Sequence, residues 1–414
     1  MVASPLTARK FACLSVETEM DKIKNFLSSF LGNPQNPVLI IFLLVFTLGF
    51  SLAMGFYWIL LTEELYKRKF STEHIAMVLT MGSIAFFVVG LFLQKLMRSF
   101  SYKKIYFFSA LALCALIPGS VILEWNYLLF IFVFLIGIAV ANINMLTDVL
   151  INRYADKKHL STLLGLYTTV MAMGYGLGPS LVSVIPRGNH LPYLLCSTLI
   201  LMTFIPVLFL KYKEIRSSEK TEKMSLNLIF LVPLALITAF FFGINDETIS
   251  DLFPIYAEEK GYSRGGAGLL LTVLLMGGVF LPVFIGILAD KFKRHWVLLA
   301  CVTTLVLSFL IGHYMNVHVY VWGILLFLAG GTIASLDLLG FSLIAERLKG
   351  EELDGAVIGS SMIYSIGAIM GPLTAGLFMN GMGGVGLIWF IVIINLMFLG
   401  GIALFLKGHL MAKL

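Results

Sequence analysis

The sequence predicts an all-α membrane protein of twelve transmembrane helices arranged as two six-helix pseudo-repeat bundles. Three observations predict it: an apolar content too high for a soluble core, twelve separate apolar segments, and matched residues spaced about 194 apart. Of the 414 residues, 59% are hydrophobic and 13% charged, more apolar surface than one soluble core can bury. A bilayer core about 30 Å thick needs about 20 apolar residues per helix, and lipid tolerates no open sheet edge. The expected spans are residues 38–61, 74–97, 104–123, 127–150, 161–185, 191–211, 227–253, 265–289, 296–315, 318–344, 354–379 and 384–406.

Lys and Arg set the orientation, because short loops keep them on the cytoplasmic side. With these spans, 23 of the 29 fall on one side and six on the other: Lys67, Arg68, Lys69, Arg187, Lys260 and Arg264. Both termini are therefore expected in the cytoplasm. The net charge of +6 reflects this topology and implies no nucleic-acid partner. Residues 1–37 form an N-terminal tail without a continuous signal-peptide core, so the first span is expected to serve as its own signal. Within the tail, residues 21–31 (DKIKNFLSSFL) carry apolar side chains at helical spacing. They read either as a helix lying at the inner interface or as an unpatterned tail, and Met20 is an alternative start. Cys13, Cys114, Cys196 and Cys301 lack metal-ligand spacing and read as free thiols.

Residues 212–226 are polar and mixed in charge, with six spans on either side. They read as a cytoplasmic linker between an N-terminal bundle (38–211) and a C-terminal bundle (227–406), followed by a tail at 407–414. Arg153 with Arg347 and Gly165 with Gly359 are 194 apart. Gly174 with Gly367, Gly178 with Gly371 and Pro179 with Pro372 are 193 apart. Gly90 with Gly286, Gln94 with Asp290 and Arg98 with Arg294 are 196 apart. This is the mark of a parallel duplication. The elements GYGLGP (174–179) and GAIMGP (367–372) clear one helix face for close packing and place a proline where a helix can kink.

The decapeptide GILADKFKRH (286–295) ends a stretch, 265–289, that has no charged side chain. That charged turn between two spans resembles the loop signature of the major facilitator superfamily of secondary transporters, and the resemblance extends over residues 38–406. It implies that Asp290 sits against the N-terminus of a helix from the other half, with Arg153 or Arg294 near it. An anion there is favoured by unsatisfied amides and the helix dipole. The N-terminal counterpart, GLFLQKLMRSFSYKK (90–104), has Gln94 in place of the aspartate, ahead of Arg98, so one of the two cytoplasmic latches is expected to be weaker. GYGLGP resembles the family's antiporter motif but lacks its final paired glycine and recurs in span eleven, which favours plain helix packing. Residues 243–263 resemble a turn at the end of the seventh helix that many subfamilies share.

Lys and Arg occur in the spans only at their ends, as Lys95, Lys104 and Lys211, whereas the spans also carry the carboxylates Asp148, Asp246, Glu247 and Asp337. Charge at membrane depth is costly, so each is a candidate functional group. A carboxyl there can exchange a proton for a conformational change or a cationic ligand. In the family, helices one, four, seven and ten line the central cavity, which makes Asn245, Asp246 and Glu247 one inward polar face. Asp337 is the most isolated carboxylate. Asn144, Asp148 and Asn152 repeat every four residues; Asp148 is read as an inner-mouth ion pair with Arg153, and Asn142 and Asn144 as deeper ligand candidates. Tyr57 and Trp58 are read as cavity wall or interfacial belt, and His313 and His318 as solvated.

No Walker loop, Ser/His/Asp arrangement or CxxC pair is present, which disfavours an enzyme or ATP-driven pump. The expected function is transport of a small neutral, zwitterionic or cationic organic solute by alternating access. The expected energy source is a proton gradient, with no cofactor or metal. Efflux by antiport is slightly favoured over nutrient symport; a non-transporting receptor or lipid flippase is the remaining alternative. The partners are the solute and the bilayer, the chain is expected to be a monomer, and the resemblance places it in a bacterial inner (plasma) membrane.

Overall fold

A computed structural model describes residues 36–68, 72–122, 126–178, 181, 191–209, 232–314 and 319–411. They form twelve helices: α1 (Pro37–Lys67), α2 (Thr72–Ser99), α3 (Tyr102–Ile122), α4 (Asn126–Tyr154), α5 (Leu160–Leu177) and α6 (Leu191–Phe209), then α7 (Pro233–Glu259), α8 (Arg264–Lys291), α9 (Arg294–Tyr314), α10 (Val319–Arg347), α11 (Gly350–Met382) and α12 (Val385–Met411). Helices are the form that satisfies every backbone group within one segment in lipid. Among the described residues, nine are long and apolar enough to cross a membrane. α7 is not in that set, because Asn245, Asp246 and Glu247 interrupt its apolar run.

Helix ends differ from the sequence expectation in several places, with α1 running to Lys67 and α4 to Tyr154. α7 continues through Pro254 to Glu259, α11 starts at Gly350 and α12 runs to Met411, each beyond where hydropathy alone stopped. Proline inside α7 costs one backbone bond without ending the helix. The tail at 1–35, Pro179, the linker 212–226 and His318 lie outside the described residues.

The packing repeats with a period of six helices. α1 lies on α5 and α6, as α7 lies on α11 and α12; α2 pairs with α4 as α8 pairs with α10; α3 packs on α4 and α6 as α9 packs on α10 and α12. The halves meet through α5 on α8 and α2 on α11, with α4 on α11 and α5 on α10 beside them. One continuous apolar core joins the N-terminal half to the Lys/Arg-rich ends of α8 to α12, including Ala289, Leu298, Ile344 and Val357. A second core, around Phe253, Phe309, Trp322 and Ile388, belongs to the C-terminal half alone at the opposite end. The halves are thus fused by apolar contact at their basic end. Large apolar side chains such as Phe92, Met202, Leu269 and Leu377 remain exposed on the outside, where lipid covers them.

The paired glycines act inside each half. Gly174 and Gly178 face the α1 backbone at Leu48 and Leu52, and Gly367 and Gly371 face α7 at Phe240 and Ile244. Pro372 lies within α11. At the far end, Lys260 donates to the carbonyls of Gly312 (3.1 Å) and His313 (3.2 Å), and Glu259 accepts from Gly384 N. The end of α7 thereby braces α9 and α12, and desolvation lowers the Lys260 pKa. His313, expected to be solvated, is half-buried with Nδ1 2.9 Å from the Tyr256 hydroxyl.

A Cβ at Gly367 would collide with the Phe240 carbonyl oxygen, whereas Gly359 faces open space. Gly367→Ala is therefore expected to cost about 1–3 kcal/mol and Gly359→Ala to be neutral or stabilising by up to about 1 kcal/mol. Thermal melting of the two purified variants checks this, and equal melting temperatures would contradict it.

Candidate functional site

Asp246 and Glu247 sit half-buried near the middle of α7. The Tyr364 hydroxyl, from α11, donates to Asp246 Oδ2 at 2.9 Å and lies 3.4 Å from Glu247 Oε1. Asp337 on α10 is half-buried and has no hydrogen bond or ion pair to another described residue. It is close enough to Asp148 of the N-terminal half and to Asp246 for their charges to act on it. Asp148, buried on α4, lies beside Tyr167 of α5. Asp337 thus lies within electrostatic range of carboxylates from both halves, and a tyrosine stands beside the acids of each half.

Several residues stand elsewhere than the sequence placed them. Arg153 does not pair with Asp148: five residues further on, it points about 140° around the helix and meets Asp354 at 3.2 Å and Tyr102 Oη at 2.9 Å. Asn245 leaves the polar face of α7, since one residue is about 100° of rotation. Its amide exchanges two hydrogen bonds with Asn395 of α12, at 3.1 and 2.7 Å. Tyr57 is fully buried inside the N-terminal half, near Ser120 of α3 and Tyr193 of α6. Asn144 lies near Tyr175, and Asn142 is half-buried without a described partner.

At the basic end, Asp290 closes α8 onto α5. Its carboxylate accepts from Ser161 N (3.0 Å), Thr162 N (2.8 Å) and Thr162 Oγ1 (2.6 Å). These amides belong to the first turn of α5, which has no carbonyl of its own to use, and the helix dipole favours the negative charge. Arg294 lies 3.9 Å from Asp290 and donates to Ser161 Oγ and the Ser342 carbonyl. Close approach depends on two glycines: a Cβ at Gly286 would strike the Ser161 carbonyl, and one at Gly165 the Pro282 carbonyl. Thr169 adds a bond to the Val279 carbonyl at 2.7 Å. Beside this latch Lys157 donates to the Ala345 carbonyl at 3.1 Å, where desolvation, with Lys349 and Arg294 nearby, lowers its pKa.

The symmetry-related crossing, α2 on α11, is built differently. The Met362 side chain fills the space beside Gly90 and Gly359 faces open space. Gln94 is half-buried without a hydrogen bond to a described residue, and Arg98 is exposed. The Arg153–Asp354 pair, with both side chains under a tenth exposed, supplies the polar link there between α4 and α11.

Tyr364, Tyr167, Asp354 and Asn395 were not legible as site residues. Only Asp354 carried a signal, as one of three acids at the start of α11 with Glu351 and Glu352. Among the described residues no group of three or more His, Cys, Asp or Glu is placed to hold a metal ion, and Cys114, Cys196 and Cys301 are free thiols.

Comparison with known proteins adds the context. The family profile described as Major Facilitator Superfamily matches twice, over residues 39–265 and 235–410. The uncharacterised MFS-type transporter YfkF of Bacillus subtilis is 24% identical over 308 residues, covering 73% of this chain and 78% of that protein. YcaD of Escherichia coli K12, also uncharacterised, is 26% identical over 267 residues, 63% of this chain and 68% of that protein. Among solved structures, the MFS transporter FucP in the outward conformation superposes with a TM-score of 0.76 at 17% identity, covering 89% of this chain and 98% of that one. A bacterial homologue of the iron transporter ferroportin, outward-facing, gives 0.72 at 14%, covering 88% and 98%. The proton:xylose symporter XylE gives 0.70 at 13%, covering 87% and 94%.

Replacing Asp290 by Asn removes a charge-assisted acceptor from two amides, worth about 1.5–3 kcal/mol. Hydrogen exchange at Ser161 and Thr162, read by mass spectrometry in nanodiscs, is expected to rise about 10-fold or more, whereas Gln94→Ala leaves it unchanged. Unaltered exchange in Asp290→Asn would contradict the latch.

Proposed function

Because the chain belongs to the major facilitator superfamily, a family of multi-pass membrane transporters, we propose that it moves a small organic solute by alternating access coupled to protons. The observation that carries this reading is Asp337, a half-buried acid without a described partner, between Asp148 of one half and Asp246 of the other. A carboxyl in that position gains or loses a proton at little structural cost, and its charge bears on both halves.

The described parts of the spans contain no basic side chain at the level of these acids, which favours a cationic, zwitterionic or neutral solute over a strongly anionic one. Competition between solute and proton for the same carboxylates gives exchange, so efflux by antiport is the preferred direction. The likeness in fold to the fucose:proton and proton:xylose symporters supports uptake by symport as the second reading. The proton gradient is the energy source, and the protein works as a monomer without a cofactor. Both termini and the basic loops lie in the cytoplasm, with Asp290, Arg294, Gln94, Arg98 and Arg153 forming the inner gate. The apolar fusion at that end and the likeness to transporters captured outward support an outward-facing state.

The test begins with a thermal-shift screen against metabolites and drugs, followed by flux of the solute found, in proteoliposomes. Gradient-driven flux is expected to fall at least about 10-fold in Asp337→Asn. Wild-type flux indifferent to a pH gradient, or gradient-driven flux retained in Asp337→Asn with Asp246→Asn, contradicts the proposal.

A further inference from the structure

The Asp246 and Glu247 pair presents a question of hydrogen count. Both carboxyls approach one phenolic oxygen, Tyr364 Oη, at 2.9 and 3.4 Å. A phenol owns one hydrogen and can accept others, whereas an ionised carboxylate owns none. The shorter contact, to Asp246 Oδ2, takes the phenolic hydrogen. The longer contact exceeds the usual O–H···O range, and only a hydrogen on Glu247 can turn it into a bond.

Among the described residues, no Lys or Arg faces the pair. The titratable groups that face it are Asp251 on the same helix, Asp337 from α10 and Tyr364 from α11. Two ionised carboxylates side by side without a cation repel, and such pairs keep one proton between them. Tyr364 itself has little freedom to move. Its carbonyl oxygen meets Gly243 so closely that a Cβ there would collide, and its ring lies 4.9 Å from that of Phe242.

We propose that Tyr364 is a positioning residue that holds Asp246 and Glu247 as a pair with one exchangeable proton, carried on Glu247 Oε1 while Asp246 stays ionised. On release the proton leaves Glu247 Oε1, the pair passes from one negative charge to two, and Tyr364 keeps its bond to Asp246. One proton per cycle then passes through this pair. The inference deepens the proton-coupling reading and rests on it only for the claim that this proton drives transport.

The test is pH-difference infrared spectroscopy of the full chain in lipid nanodiscs, with no solute present. A protonated-carboxyl band is expected at neutral pH in an Asp337→Asn background, which removes the Asp337 carboxyl, lost when Glu247→Gln is added and retained when Asp251→Asn is added. In Tyr364→Phe, which keeps the ring against Phe242, the band is expected at higher frequency because the Glu247 proton has lost its acceptor. A band that survives Glu247→Gln, or one that Tyr364→Phe leaves in place, overturns the proposal. A band that behaves as expected while proteoliposome flux ignores the pH gradient supports the pair and refutes the coupling, so the two failures are distinguishable.

Discussion

The α5–α8 crossing depends on one carboxylate, that of Asp290, set against the first-turn amides of a helix from the other half. Those amides have no partner inside α5, and at the edge of an apolar core an unmade bond costs about 1–3 kcal/mol. Asp290 supplies the missing acceptors from across the plane where the halves meet. The interaction is available only because Gly286 and Gly165 let the two backbones touch. Around it the apolar core runs without a break from one half into the other, so the latch and the core reinforce each other at the same end of the molecule.

The duplicated crossing between α2 and α11 repeats the helix arrangement without the chemistry. Gln94 replaces the acid, a flexible methionine fills the glycine notch, and the charged link has moved to Arg153 and Asp354. Two interfaces of equal topology therefore differ in strength, which biases where the basic end separates first. The central acids lie between them. Asp337 faces charges from both halves, so a change in its protonation alters the balance of forces across the plane that the two crossings hold shut.

Much of the fold was legible in the sequence, because lipid leaves a chain few choices: twelve apolar segments must be twelve helices, and the 193–196 spacing exposes the duplication. The latch was legible through the resemblance of the charged turn at 286–295 to the family's loop signature, which implied where Asp290 would sit. What was not legible is rotation. Asn245 was grouped with Asp246, and Arg153 with Asp148, on sequence proximity; a helix turns about 100° per residue, which sends Asn245 to Asn395 and Arg153 to Asp354. Tyr57 was placed by depth when its direction decided its role. Tyr364 gave no signal, since a tyrosine in a span reads equally as packing, and its partners lie more than a hundred residues away.

The central claim, that the two crossings at the basic end are unequal, is tested most directly by spin-label distances across each of them. Labels at Lys158 and Lys291 span the α5–α8 side, and labels at Arg98 and Glu352 the α2–α11 side; all four side chains are exposed. In nanodiscs the first pair is predicted to give a narrow distance distribution and the second a broader one that widens first as the protein cycles. Equal widths, or a Lys158–Lys291 distance that opens first, would contradict the account.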